Sequence, residues 1–340
     1  MKTALFASAA VIALAAFGTT AAFAQSRDTI QIAGSSTVLP FASIVAEEFG
    51  ATFPEFKTPV VGSGGTGGGL KQFCSGVGES TIDIANASRA MKAGEREACV
   101  AAGVTDIREI QFGFDGIVFA SAATGPDFAL TPVQVFKAIA AKVPVDGELV
   151  DNPYVNWSDI DASLPAQPIQ LAIPGSNHGT REVFQEKVVT AGAEEAGLPE
   201  GLSDEDKLAV ETTFRQDVVV EIAGDYTETL ARLTSNPNTV GVFGLSFYDQ
   251  NKDTLKVATV DGVVPSLETV AAGEYPVSRP LFFYVKGQHI GTIPGLEEYV
   301  QFFLSDSISG NGGTLEAAGL IPQPSEKTAE VLAAFEAGAQ

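Results

Sequence analysis

Short β-rich runs alternate with amphipathic helical patterns along almost the whole chain, and this alternation constrains the fold more than any single motif. DTIQIAG (28–34) reads as a strand, and LPFASIVAEEFGATFP as a helix with Phe41, Ile44, Val45 and Phe49 on one face. KTPVVG predicts a second strand, GGLKQFCSG a second helix, TIDIANAS a third strand and KAGEREACVAAG a third helix. IREIQFGFDGIVFAS reads as extended, with an interruption near Asp115 and Gly116. The pattern then restarts. TPVQVFKAIAA enters a helix with Thr131 as N-cap and Pro132 in its first turn. Strands at PIQLAIPG, QDVVVEI, TVGVFGL, LKVATV and RPLFFYVKG interleave with helices at GTREVFQEKVV, DYTETLARLTSN (Asp225 as N-cap) and PGLEEYVQFFLSD. Such alternation is the signature of α/β architecture. The Pro-rich stretch 144–168 reads as a surface excursion, and His289 as part of a surface turn.

The N-terminus carries Lys2, the apolar run ALFASAAVIALAAF and a small-x-small site at Ala22-Phe23-Ala24. Residues 1–24 therefore read as a signal peptide cleaved before Gln25, which places the mature protein in the periplasm. No cysteine lies at that site to carry a lipid. The two cysteines of the chain, Cys74 and Cys99, suit a disulfide in an oxidising compartment, with a pair of buried thiols as the alternative. A mature chain of about 300 residues suggests two domains. Lys plus Arg number 20 against 42 Asp plus Glu, a formal charge of −22. That balance argues against nucleic acid or anionic lipid as a partner. A small anion held by backbone N–H groups and helix N-termini remains compatible with it.

Glycine- and serine-rich turns recur at strand-to-helix junctions: GSSTVLP (34–40), GSGGTGGG (62–69) and GSNHGTRE (175–182). NASRAM (86–91) adds a serine and an arginine. Each offers N–H groups and hydroxyls where a helix starts, the donor set a compact oxyanion needs. Gly62, Gly64 and Gly67 also spell G-x-G-x-x-G, but they follow the second strand, and Asp83 lies within an apolar strand pattern, so a dinucleotide fold fits poorly. A P-loop fails because Lys71 stands between Leu70 and Gln72. A hydrolase is the rival class. Yet the chain has two histidines, His178 and His289, Ser176 is too close in sequence to His178 to pair with it, and no G-x-S-x-G elbow surrounds either. His-x-x-x-His and Cys-x-x-Cys spacings are missing, which argues against a metal site.

The ordered set AGSSTVLPFASIVAEEF, VGSGGTGGGLKQFC, DIANASRAM, DGIVFA, IPGSNHGTREVF and SRPLFFYVK resembles the phosphate-binding proteins of Pst-type ABC transporters across essentially the whole mature chain. The resemblance implies an α/β, two-lobed periplasmic-binding-protein fold (type II-like) with crossover strands. Lobe 1 would comprise 25–115 and 280–340, and lobe 2 residues 116–279. It implies phosphate capture by a monomer, delivery to an inner-membrane ABC permease, and neither covalent chemistry nor a cofactor. By match to the family's motifs, Thr37 and the Val38 amide, with Ser36 adjacent, would bind the anion. The glycine-loop ligand falls on Ser63 counted from the front and on Thr66 counted back from Lys71. Ser88 marks the third turn, and His178, Gly179 and Thr180 occupy the family's Ser-Gly-Thr positions, with histidine in place of serine. Two departures stand out. Arg89 follows Ser88 where some members have an aspartate that accepts the proton of hydrogen phosphate, and Pro174 stands where those members have an arginine. The expectation is that the positive charge has moved to Arg89 and that Asp115, held ionised nearby, is the acceptor.

Overall fold

The computed structural model describes residues 27–175, 179–223 and 226–338. Its first half follows the periodicity of the sequence: β1 (Gln31–Gly34), α1 (Leu39–Thr52), β2 (Val60–Ser63), α2 (Gly65–Phe73), β3 (Ile84–Ala87) and α3 (Ala93–Ala101). β1 lies between β2 and β3, parallel to both. α1 buries Phe41, Val45 and Phe49. Cys74, just past the end of α2, is bonded to Cys99 of α3, so the disulfide ties two neighbouring helices.

β4 (Ile107–Ala122) runs 16 residues without the expected interruption at Asp115 and Gly116. The reason is continuous pairing. Its first part lies antiparallel to the late strand Ser278–Lys286, and its second part to Val240–Gly244 and Leu255–Val257, so a partner strand follows it nearly from end to end. The one irregularity of that pairing is a bulge in β4 at Phe112, which is passed over where Leu281 faces Gly113 and Phe282 faces Gln111.

The remaining elements that position the site are α4 (Pro132–Ile139), β5 (Leu171–Pro174), α5 (Gly179–Phe184), β6 (Val219–Ile222), α6 (Tyr226–Ser235), β7 (Val240–Gly244), β8 (Leu255–Val257), β9 (Ser278–Lys286), α7 (Leu296–Phe303) and α8 (Ser325–Ala337). The Thr131 hydroxyl accepts from the Gln134 amide, and Pro132 fills the first turn of α4. α5 continues through a wider π-helical stretch, Gln185–Thr190, into Ala191–Ala196. Asp225, expected as an N-cap, lies outside the described residues. The main sheet runs β2-β1-β3-β9-β4-β7-β5-β6, with β8 also on β4.

Packing divides along β4, which contributes residues to every apolar core. One apolar core gathers Ile117–Phe119 with Phe136, Trp157, Leu171, Val188, Phe243 and Tyr275. Two others gather residues 30–112 with residues 281–335. The excursion 144–168 is therefore more than surface, because it buries Trp157 completely.

His289 is also buried, 2% exposed, where the sequence suggested a surface turn. Its Nδ1 lies 2.6 Å from Asp83, and its Nε2 accepts the Gly78 amide at 3.0 Å. Arg27 and the Gln31 amide also bond Asp83, both at 2.7 Å. A carboxylate with no solvent exposure requires such partners, and that requirement draws the His289 turn inward. Among the described residues no helix is long and apolar enough to cross a membrane.

Candidate anion-binding cleft

β1 ends on Gly34, whose φ of +144° and close approach to Asn86 O, only 2.2 Å from where a Cβ would stand, both call for glycine. The chain then turns through Ser35–Thr37 into α1, a 14-residue helix with Val38 at its N-cap. The Val38 amide reaches Ser35 Oγ only at 3.4 Å. Thr37 is 2% exposed.

The glycine run does not precede its helix. α2 starts at Gly65, so Thr66, Gly67, Gly68 and Gly69 form its opening turns. Gly69 lets α2 press on β1, since a Cβ there would come within 2.4 Å of Gly34 Cα, whereas Gly67 and Gly68 face open space. The two glycine-loop candidates sit in different pairings: Ser63 Oγ lies 3.0 Å from Ser36 Oγ, and Thr66 Oγ1 accepts the Ser88 amide at 3.1 Å.

The centre of the cleft is a cross-strand pair. The register of β4 against β9 sets Asp115 directly opposite Arg279. Both are 4% exposed, and Arg279 Nη2 stands 3.8 Å from Asp115 Oδ2. That oxygen has no hydrogen-bond partner among the described residues. Burial pushes the Asp115 carboxyl up to about 6, against the opposing pull of Arg279, and Glu182 adds to the rise. Arg279 also donates to Thr37 Oγ1 at 2.7 Å and to Glu186 Oε2 at 2.6 Å, and Glu182 Oε2 lies 3.4 Å from it. The Thr37 hydroxyl in turn donates to Glu182.

Arg89 was expected at Asp115, and the structure places Arg279 there instead. The Arg89 guanidinium is forked onto Glu95 of α3, at 2.9 and 2.8 Å. Glu95 lies six positions along the same segment and also accepts the Lys92 amide, so a local pairing holds Arg89. Asp115 is correspondingly not held at a low pKa: burial outweighs Arg279 and raises its carboxyl to about 6.

From the other side, Gly179 opens α5, and Thr180 Oγ1 accepts from the Tyr226 hydroxyl at 2.8 Å. His178 lies outside the described residues. Thr37, Asp115 and Thr180 line one cavity of about 450 Å³ with Phe41, Tyr226 and Phe247. The cavity is lined by hydroxyls and a buried carboxyl, and the Arg279 guanidinium, outside its lining, is bonded to Thr37, a set suited to an oxyanion bearing a proton.

Arg279, Glu182, Glu186 and Tyr226 are the site residues that sequence reasoning missed. For Arg279 a signal existed: an arginine between Ser278 and Pro280 at the head of an apolar strand has to find a buried partner. Glu182 and Glu186 are four apart on one helix, a spacing that puts both carboxylates on the same face, but nothing local says what that face meets.

Residues 19–307 match the profile of the PBP superfamily domain. SphX of Synechococcus elongatus is 30% identical over 96% of this chain and 86% of its own length. The phosphate-binding protein PstS of Staphylococcus epidermidis is 28% identical over 86% of this chain and 78% of its own. The crystal structure of a possible phosphate-binding protein from Planctomyces limnophilus superposes with a TM-score of 0.68 at 28% identity, covering 91% of this chain and 98% of that one. The α/β architecture, the apolar cores that share β4, and these likenesses agree: the chain belongs to the PBP superfamily and, within it, to the family of SphX and the PstS phosphate-binding proteins.

Proposed function

We propose that this chain is the exported receptor of a phosphate importer: it closes two lobes on inorganic phosphate in the periplasm and delivers it to an inner-membrane ABC permease. The observation that carries the reading is the junction of Thr37, Asp115 and Arg279, where donors and one buried acceptor meet. In this reading the lobes are 25–115 with 280–340, and 116–279, and the hinge runs through β4 and β9. Both strands cross at Asp115 and Arg279, so bending there closes the donors of both lobes on the ligand.

The ligand set is Thr37 and the Val38 amide at the α1 N-terminus, Ser63 or Thr66, Ser88, and Gly179 and Thr180 at the start of α5, with Ser36 and His178 flanking. Arg279 supplies the cation, since Glu95 occupies Arg89. Asp115 accepts the proton of hydrogen phosphate. Sulfate brings no proton and would leave that carboxyl unsatisfied. Binding needs no bond broken in the ligand, so the protein acts as a monomeric carrier and not as an enzyme, without a cofactor.

Calorimetric titration of phosphate-stripped protein with phosphate, arsenate, sulfate and a phosphonate tests this. Tight phosphate binding with sulfate much weaker is the expected result. No heat with phosphate, or release of product from a chromogenic phosphoester, would refute the receptor reading.

A further inference from the structure

Resting on that reading of the cleft, we propose that Glu182 is an internal counter-anion: its carboxylate occupies the ligand's own donors until phosphate displaces it, and so sets both affinity and anion selectivity. Thr37 donates its hydroxyl to Glu182, and the Arg279 guanidinium lies 3.4 Å from the same oxygen. These are the two side-chain donors at the heart of the site, and one carboxylate, from across the cleft relative to Thr37, holds both.

The partners differ sharply in mobility. Thr37 and Arg279 are 2% and 4% exposed and are fixed by the α1 turn and by strand register. The Glu182 side chain is 45% exposed on the first turn of α5. It can therefore swing into water at small cost, which the buried Asp115 cannot do. Charge also favours its release. Asp115, Glu182 and Glu186 crowd the one Arg279 guanidinium, Lys187 stands 3.7 Å from Glu186, and Arg89 is committed to Glu95. Expelling Glu182 halves the negative charge that an entering dianion adds to the site.

Selectivity follows from the tether. A carboxylate on the same chain competes at an effective concentration of millimolar order or higher. A dilute monoanion offering no more than a carboxylate does not displace it. Hydrogen phosphate does, because it engages Thr37, Arg279 and Thr180 together and donates a hydrogen bond through its own proton to Asp115.

Glu182→Gln and Glu182→Ala, compared with the natural protein, test the idea by titration of stripped protein with inorganic phosphate and with sulfate at fixed pH and ionic strength. Removing a competitor worth one charge-assisted hydrogen bond should tighten phosphate binding roughly ten- to a hundredfold. Sulfate should gain more than phosphate does, narrowing the phosphate-to-sulfate ratio. Unchanged or weaker phosphate binding in both variants, with melting temperatures like the natural protein, overturns the proposal. Failure of the natural protein itself to bind phosphate would instead remove the receptor reading, and this inference with it.

Discussion

Replacing Asp115 by asparagine should make the unliganded protein more stable and the receptor worse. Asp115 is 4% exposed, faces Arg279 only at 3.8 Å, and sits near Glu182 and Glu186. Burial carries its carboxyl from 3.8 to about 6. Below the unfolded value both states are protonated, and the group contributes nothing. Between 3.8 and about 6 the unfolded chain ionises first, so folding loses stability as pH rises. Above that window the loss is complete, about 3 kcal/mol at 1.36 kcal/mol per pH unit. Asparagine keeps the shape and removes this penalty, so the variant should gain up to about 3 kcal/mol at pH 7.5 and little at pH 4. For a chain of this size that corresponds to a melting temperature higher by roughly 5 °C. The assay is calorimetric or circular-dichroism melting of both proteins in phosphate-free buffers from pH 4 to 8, with phosphate and sulfate titrations alongside. Phosphate affinity should fall and its margin over sulfate should narrow. A variant less stable than the natural protein at pH 7.5, or a difference independent of pH, would refute the argument that Asp115 is held against its own solvation. Sites kept for function at the expense of stability show this trade-off.

Arg279→Met should weaken phosphate binding by more than about a hundredfold and lower stability by about 3–5 kcal/mol, because it leaves a buried carboxyl without its cation; titration and urea unfolding measure the two, and retained affinity would disprove the assignment. Thr66→Val removes the hydroxyl that accepts the Ser88 amide, and phosphate binding should fall by about 1.5–3 kcal/mol; an unaltered Kd would point to Ser63 as the glycine-loop ligand. The double change Cys74→Ser with Cys99→Ser opens a bridge spanning 25 positions and should cost about 3 kcal/mol by the loop-closure argument, read from denaturant midpoints of oxidised protein.

What the sequence by itself determined is local. Strand and helix identities in the first half, the Thr131 cap with Pro132, and the recurrence of donor-rich turns at strand ends depend on residues within a few positions of one another, where periodicity, capping and backbone preference act. Even Arg89 and Glu95 belong to this class: their separation is short enough that the pairing was open to sequence reasoning. The glycine run was legible as a junction, but its role in letting Gly69 press against Gly34 depends on how α2 lies on β1. Only the tertiary structure decided the centre of the cleft. Thr37 and Arg279 are 242 positions apart, and their meeting with Asp115 follows from the register of β9 on β4, where a shift of one residue would turn Arg279 to the other face. The same holds for Glu182, which meets Thr37 across 145 positions of chain, and for His289, drawn inward by the buried Asp83. Charge partners separated by so much chain are chosen by sheet register and lobe packing, which no local preference encodes.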